Sequence, residues 1–293
     1  MAIWQMKMAA DRRPGMSGRG FCFSRVFIKK VFACALIFLL TAAFFVISWP
    51  AEGRAATGIK RKITVSAAIS LKNAFEEIAK VYEARDPGVK VYFNFGASGN
   101  LMMQVEEGAP VDVFASAAEK QMDMLAKKGM IEPGTRMDFA ENTVVLVVPS
   151  RPKGKYAFVK SFSDLADPRI KRIAIGSPRS VPAGMYSEEA LRYFKLAGAV
   201  SKKLIYGENV RQVLEYVARA EVDAGLVYST DAMTQAGQVR VAAVAPPASY
   251  KPVVYPIAVV KGSANEKQAR AFVALVASPE GESILRKYGF GTK

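Results

Sequence analysis

Histidine is missing from all 293 residues. The chain therefore lacks the commonest general base near neutral pH and the commonest metal ligand, so hydrolase and zinc-enzyme readings start without their usual residue. Cysteine is nearly as scarce. Cys22 and Cys34 both fall in the first 34 residues, which leaves the remainder with no disulfide framework and no thiolate nucleophile. No G-x-x-x-x-G-K-[ST] phosphate loop occurs anywhere. The formal charge is +15, yet no basic run is interleaved with aromatics, which argues against a nucleic-acid partner. Residues 1–55 carry eight Lys/Arg against two Asp/Glu, a net of +6, so +9 belongs to the remainder. There the charges are scattered among acids, as on a solvated surface that also mildly steers anions.

What is present begins with a targeting segment. Arg12, Arg13, Arg19, Arg25, Lys29 and Lys30 precede an uncharged run from Val31 to Trp49, and "AEGRAA" offers small residues for cleavage near Ala55. The basic flank stays cytoplasmic and the rest is exported. Residues 1–55 read as a signal peptide and the mature chain as periplasmic. The alternative is an uncleaved membrane anchor, because the run approaches the roughly 20 residues that span a bilayer.

The remainder, at 51% hydrophobic and 23% charged over the whole chain, suits an α/β protein with an ample core. "KITVSAAI" predicts a strand and "SLKNAFEEIAKVYEA" a helix with Ser70 as its N-cap. "VKVYFNF" and "VDVFAS" predict further strands, each followed by a helical pattern, and the alternation resumes after residue 170. Such order implies parallel β-α-β units, whose ligands sit beyond the carboxyl ends of the strands. The apolar runs 142–149 and 252–260 look like passages between two lobes, with the second lobe inserted between them. The boundaries expected are 57–140 plus 257–293 for lobe I and 141–256 for lobe II.

Four points share one local design, in which a strand ends, a small or polar turn follows and a helix begins. They are "AAISL" at Ser70, "FNFGASGNL" at Ser98, "VPAGMY" at Ala183 and "ENVRQVL" at Val210. Each presents free backbone N–H groups and the positive end of a helix dipole, which together bind an oxyanion without a Lys or Arg counter-charge. Three also have a plain explanation: an N-cap at Ser70, a turn at Ser98, a permitted Pro before Ala183; Val210 has no side-chain argument. Tyr228 in "AGLVYSTD" reads equally as a core aromatic.

In order, these blocks resemble the periplasmic molybdate-binding proteins of ABC transporters. "ITVSAAISLKNAFEEIA", "GAPVDVFASA", "SVPAGMYSEEAL", "AGLVYSTDA" and "YPIAVV" carry the resemblance across 60–293. It implies a type II periplasmic binding protein fold: two α/β lobes, a two-strand hinge and one oxyanion in the interlobe cleft. It also implies hydroxyl and N–H donors from Ser70 and Ser98, N–H donors from Ala183 and Val210, and the phenolic O–H of Tyr228. The chain would be a monomeric binding protein and not an enzyme. It would need no cofactor and no cation ligands, and would pass molybdate or tungstate to an inner-membrane ABC permease with its ATPase. Ile69 and Gly99 depart from the family pattern. Gly99 leaves one hydroxyl in the second loop. The rivals are a receptor for sulfate or another oxyanion, and a secreted phosphate-ester hydrolase using Ser70 or Ser98. No paired carboxylates and no Ser-Lys arrangement support the hydrolase.

Overall fold

A computed structural model describes residues 61–292. The leader and the cleavage point expected near Ala55 lie outside them. Arg61–Ala68 (β1) buries Ile63, Val65 and Ala67 completely. It leads through a 3-10 turn, Ile69–Leu71, into Lys72–Arg85 (α1). α1 turns Phe75, Ile78, Ala79 and Tyr82 inward at helical spacing. Val89–Gly96 (β2), Ser98–Glu106 (α2), Val113–Ala115 (β3), Glu119–Lys127 (α3) and Met137–Asn142 (β4) follow.

Thr143 then carries the chain to a second sheet. Its elements are Val144–Pro149 (β5), Ile173–Gly176 (β6), Pro182–Tyr193 (α4), Ala197–Val200 (α5), Leu204–Gly207 (β7), Val210–Ala218 (α6), Ala224–Tyr228 (β8), Ser229–Met233 (α7) and Val239–Val244 (β9). Residues 245–252 lead back to Val253–Val259 (β10), Glu266–Val276 (α8) and Pro279–Lys287 (α9). The sheet orders are β2-β1-β3-β10-β4 and β7-β6-β8-β5-β9.

The register decides where the site can be. β1 runs parallel to β2 from Arg61 opposite Val89 to Ala68 opposite Gly96, and to β3 with Ala67 opposite Ala115. Three strands therefore end along one edge. In the second sheet β6 runs parallel to β7, ending with Gly176 opposite Gly207, and parallel to β8. The turn or helix after each strand end then starts at that same edge, as parallel sheets require.

Both long apolar runs form fully buried strands, each belonging to one sheet. β5 pairs with β8 and β9, and β10 lies antiparallel between β3 and β4. The 142–149 run holds one crossing, at Thr143, and the other crossing, residues 245–252, leads into the second run. β4 and β10 each continue through the boundaries expected at 140/141 and 256/257, since a strand is not divided within its ladder. Phe75 anchors the first lobe's core, with ring contacts at 5.8–6.3 Å to Phe93, Phe139 and Phe272. Lys287 and Tyr288, at the end of α9, bond Glu77 on α1 and so tie the last helix to the first. Among the described residues, no helix is long and apolar enough to cross a membrane.

Candidate functional site

All five residues singled out in the sequence line one small cavity of about 10 Å³. Ser70, Ser98, Ala183, Val210 and Tyr228 are each at most 3% exposed there. Ser70 and Ser98 come from the first lobe, and the other three from the second. Its volume is comparable to that of one water-sized particle.

Backbone donors come from the helix starts. Ala183 is the second residue of α4, after Pro182, and Val210 is the first of α6. N–H groups of a first turn have no acceptor within their own helix. At α6 the Asn209 side chain caps Gln212 N–H at 3.0 Å and leaves Val210 N–H uncapped. Gly184 follows Ala183, and a Cβ there would come within 2.0 Å of Gly176 O. Only glycine lets the start of α4 sit this close to the end of β6.

The hydroxyls are arranged by proton direction. Ser98 Oγ accepts the Ala117 N–H at 3.0 Å, so its own proton is left to give. Ser70 does not cap its helix, as the sequence had suggested. No side chain caps either the 3-10 turn or α1, and Ser70 Oγ instead meets the Tyr255 hydroxyl at 3.0 Å. Asn142 bears on the direction of that bond. Its Oδ1 accepts from Thr143 N–H at 2.9 Å and from Ser229 Oγ at 3.1 Å. A backbone N–H can only donate, so the amide orientation is fixed. Asn142 Nδ2 then donates to Tyr255 at 3.2 Å and to Thr230 Oγ1 at 2.9 Å. Either oxygen can give the proton of the Ser70–Tyr255 bond; with Asn142 already donating to Tyr255, the direction that finds Tyr255 an acceptor is donation to Ser70, which leaves the proton of Ser70 for the cavity.

Tyr228 is the third hydroxyl. It reaches Ala117 O at 3.4 Å, well beyond the usual O–H···O length, and so can turn to a better acceptor. Burial holds the pKa of Tyr228 and of Tyr255 well above 10, so both remain neutral donors. No residue lining the cavity bears a formal charge.

Three residues near the cavity join the lobes or stand behind it. Gly99 N–H donates to Ser180 O across the cleft at 2.9 Å, and a Cβ at Gly99 would fall 2.7 Å from that oxygen. Arg211, next to Val210, forms a buried ion pair with Asp231, while its Nη2 donates to Asn73 Oδ1 at 3.0 Å. Asp231 Oδ2 is buried without a bonding partner. Tyr255, Asn142, Asn73 and the Arg211–Asp231 pair all went unnoticed in the sequence. Ser70 and Tyr255 are 185 positions apart, and no spacing rule joins them.

The fold and cavity define a class: a two-lobed binding protein with an uncharged cavity lined from both lobes. Residues 63–291 match the bacterial extracellular solute-binding protein family, and the chain belongs to it. It is similar to the molybdate-binding protein ModA of Haemophilus influenzae, 38% identical, with 79% of this chain and 91% of that one covered. It is also similar to a putative ABC transporter substrate-binding lipoprotein of Bacillus subtilis, 38% identical, covering 85% of this chain and 94% of the other. Among solved structures, the substrate-binding domain of a putative molybdenum ABC transporter from Clostridium difficile is 33% identical. It superposes with a TM-score of 0.62, covering 80% of this chain and 99% of that one. The family places the protein outside the cytoplasmic membrane as the binding component of an ABC transporter.

The buried acid behind the site gives a pH signature. Loss of hydration pushes the Asp231 carboxyl up to about 6, and the neighbouring Arg211 opposes this only in part. The unfolded chain releases that proton near 3.8, so between the two values the folded state holds the extra proton. Stability from this group is present at low pH and is lost as pH rises through about 6. Urea unfolding at pH 5 and pH 8 is expected to differ less in Asp231→Asn than in wild type, by about 1–3 kcal/mol. Equal differences in the two proteins would show that the carboxyl is not shifted.

Proposed function

We propose that the protein captures molybdate, and tungstate with it, and delivers the anion to its ABC permease. The observation that carries this reading is the cavity: five residues from five separate stretches of chain, all offering donors and none offering a charge. A tetrahedral dianion presents only acceptors, so every donor can be satisfied. Hydrogen phosphate would bring a proton against one of them. A buried polar group left unpaired costs about 1–3 kcal/mol, which corresponds to roughly 5- to 150-fold in affinity. Sulfate carries no proton at neutral pH, so its rejection falls to cavity size. The molybdate-binding and molybdenum-transporter names of the relatives support the same ligand. On this reading the leader is removed, the chain works in the periplasm as a monomer, and the crossings at Thr143 and 245–252 act as the hinge.

Calorimetric titration with molybdate, tungstate, sulfate and phosphate tests the ligand. Micromolar or tighter binding of the first two alone is expected, and tight sulfate binding with weak molybdate binding would overturn the assignment. Tyr228→Phe removes one donor to a dianion. It should weaken molybdate binding by about 10- to 150-fold, since hydrogen bonds to charged groups contribute about 1.5–3 kcal/mol, with the unliganded melting temperature unchanged. Unchanged affinity would return Tyr228 to the role of a core aromatic. Gly99→Ala places a methyl group against Ser180. Small-angle scattering should then lose the contraction that saturating molybdate produces in wild type; an equal contraction would show that the two backbones need not meet.

A further inference from the structure

We propose that Arg211 is a positioning residue of the anion site, and that its bond to Asn73 sets how slowly the bound anion leaves. The proposal rests on the oxyanion reading above. Arg211 directly follows Val210, whose main chain opens α6 and lines the cavity. Asn73 follows Ser70 by three residues, at the start of α1. The Arg211–Asn73 bond thus connects a donor element of one lobe with a donor element of the other.

The guanidinium is aimed before it reaches across. Nε donates to Asp231 on α7, and Nη1 to Thr234 Oγ1 at 3.3 Å, both in its own lobe. Those two contacts fix the plane of the fork, and Nη2 is left pointing at Asn73 Oδ1 at 3.0 Å. A planar fork held in this way loses little freedom when its last bond forms. Only a fifth of the Arg211 side chain is exposed, so salt screens the contact weakly. Asn73 is neutral, so the bond adds no charge to compete with an anion.

Both this bond and the Gly99–Ser180 bond join one lobe to the other, so on the proposal an opening of the cleft breaks them and capture proceeds without them. Release has to break them. The contribution of the Arg211–Asn73 bond therefore falls on the dissociation rate, where most differences in affinity among related complexes lie.

Wild type and variants of the purified protein are loaded with radiolabelled molybdate and chased with unlabelled anion. Asn73→Ala is expected to release label about 10- to 150-fold faster, the loss of one hydrogen bond with a charged donor, while capture changes less than about twofold. Arg211→Lys keeps a cation beside Asp231 but lacks the fork, and should behave alike. The double variant should be no faster than the faster single, because both remove one bond. Unchanged release in Asn73→Ala, a matching loss in capture rate, or additive effects would overturn the proposal. If Arg211→Lys does not fold, Asn73→Ala decides alone. Should wild type itself retain no molybdate, the ligand assignment fails first and the proposal falls with it; retention by wild type with unaltered release in the variants refutes the positioning role only.

Discussion

A dianion enclosed away from water offers nothing but acceptors, so each polar group around it must arrive with a proton to spare. A hydroxyl has only one, and whether it points into the cavity depends on what stands behind it. For Ser98 the Ala117 N–H stands behind, and since a backbone N–H cannot accept, the serine proton is free by necessity. For Ser70 the arrangement takes three residues. Thr143 fixes Asn142, Asn142 donates to Tyr255, and Tyr255 donates to Ser70. Were the last bond reversed, Ser70 would present lone pairs to the anion, and the Tyr255 proton would be buried without an acceptor. Both outcomes cost free energy, so the network has a single favourable direction.

The rest of the fold brings these donors to one point. Parallel strands put their carboxyl ends, and the turns after them, along one edge of each sheet, and the two edges face the same cavity. Helix starts supply N–H groups and partial positive charge without a cation. A lysine in the cavity would attract any anion of suitable size. Neutral donors in a dry cavity respond instead to the number of protons the ligand carries. Arg211, next to Val210, and Asp231 are bonded to each other, so above the carboxyl's titration range the pair adds no net charge behind the cavity.

The alternation of strands and helices was legible in the sequence because it depends on local periodicity. So were the four helix starts, each marked by small residues between an apolar run and an amphipathic one. What the sequence could not show was long-range pairing. Ser70 looked like an N-cap because serine before a helix usually is one. Its bond to Tyr255 depends on β10 returning to the first sheet, which no local pattern reveals. Gly99 looked like a missing hydroxyl. In three dimensions it is the point where a side chain would collide with Ser180, so the absence of an atom has a positive role there. The 142–149 and 252–260 runs looked like crossings because they are long and apolar; most of each lies inside a sheet, and the links are Thr143, within the first run, and residues 245–252, which lead into the second.

Asn142 joins these two themes. It is the last residue of β4, directly before the crossing at Thr143, and its amide bonds Ser229 and Thr230 of the second lobe as well as Tyr255 of the first. Any opening that parts Asn142 from Ser229 and Thr230 removes two of the contacts that hold its amide in place. The bond to Tyr255 would then be less firmly aimed, and the free proton on Ser70 less firmly enforced. The Thr143 N–H sets the orientation of the amide by itself, and the contacts with Ser229 and Thr230 steady it, so the network behind Ser70 draws on both lobes.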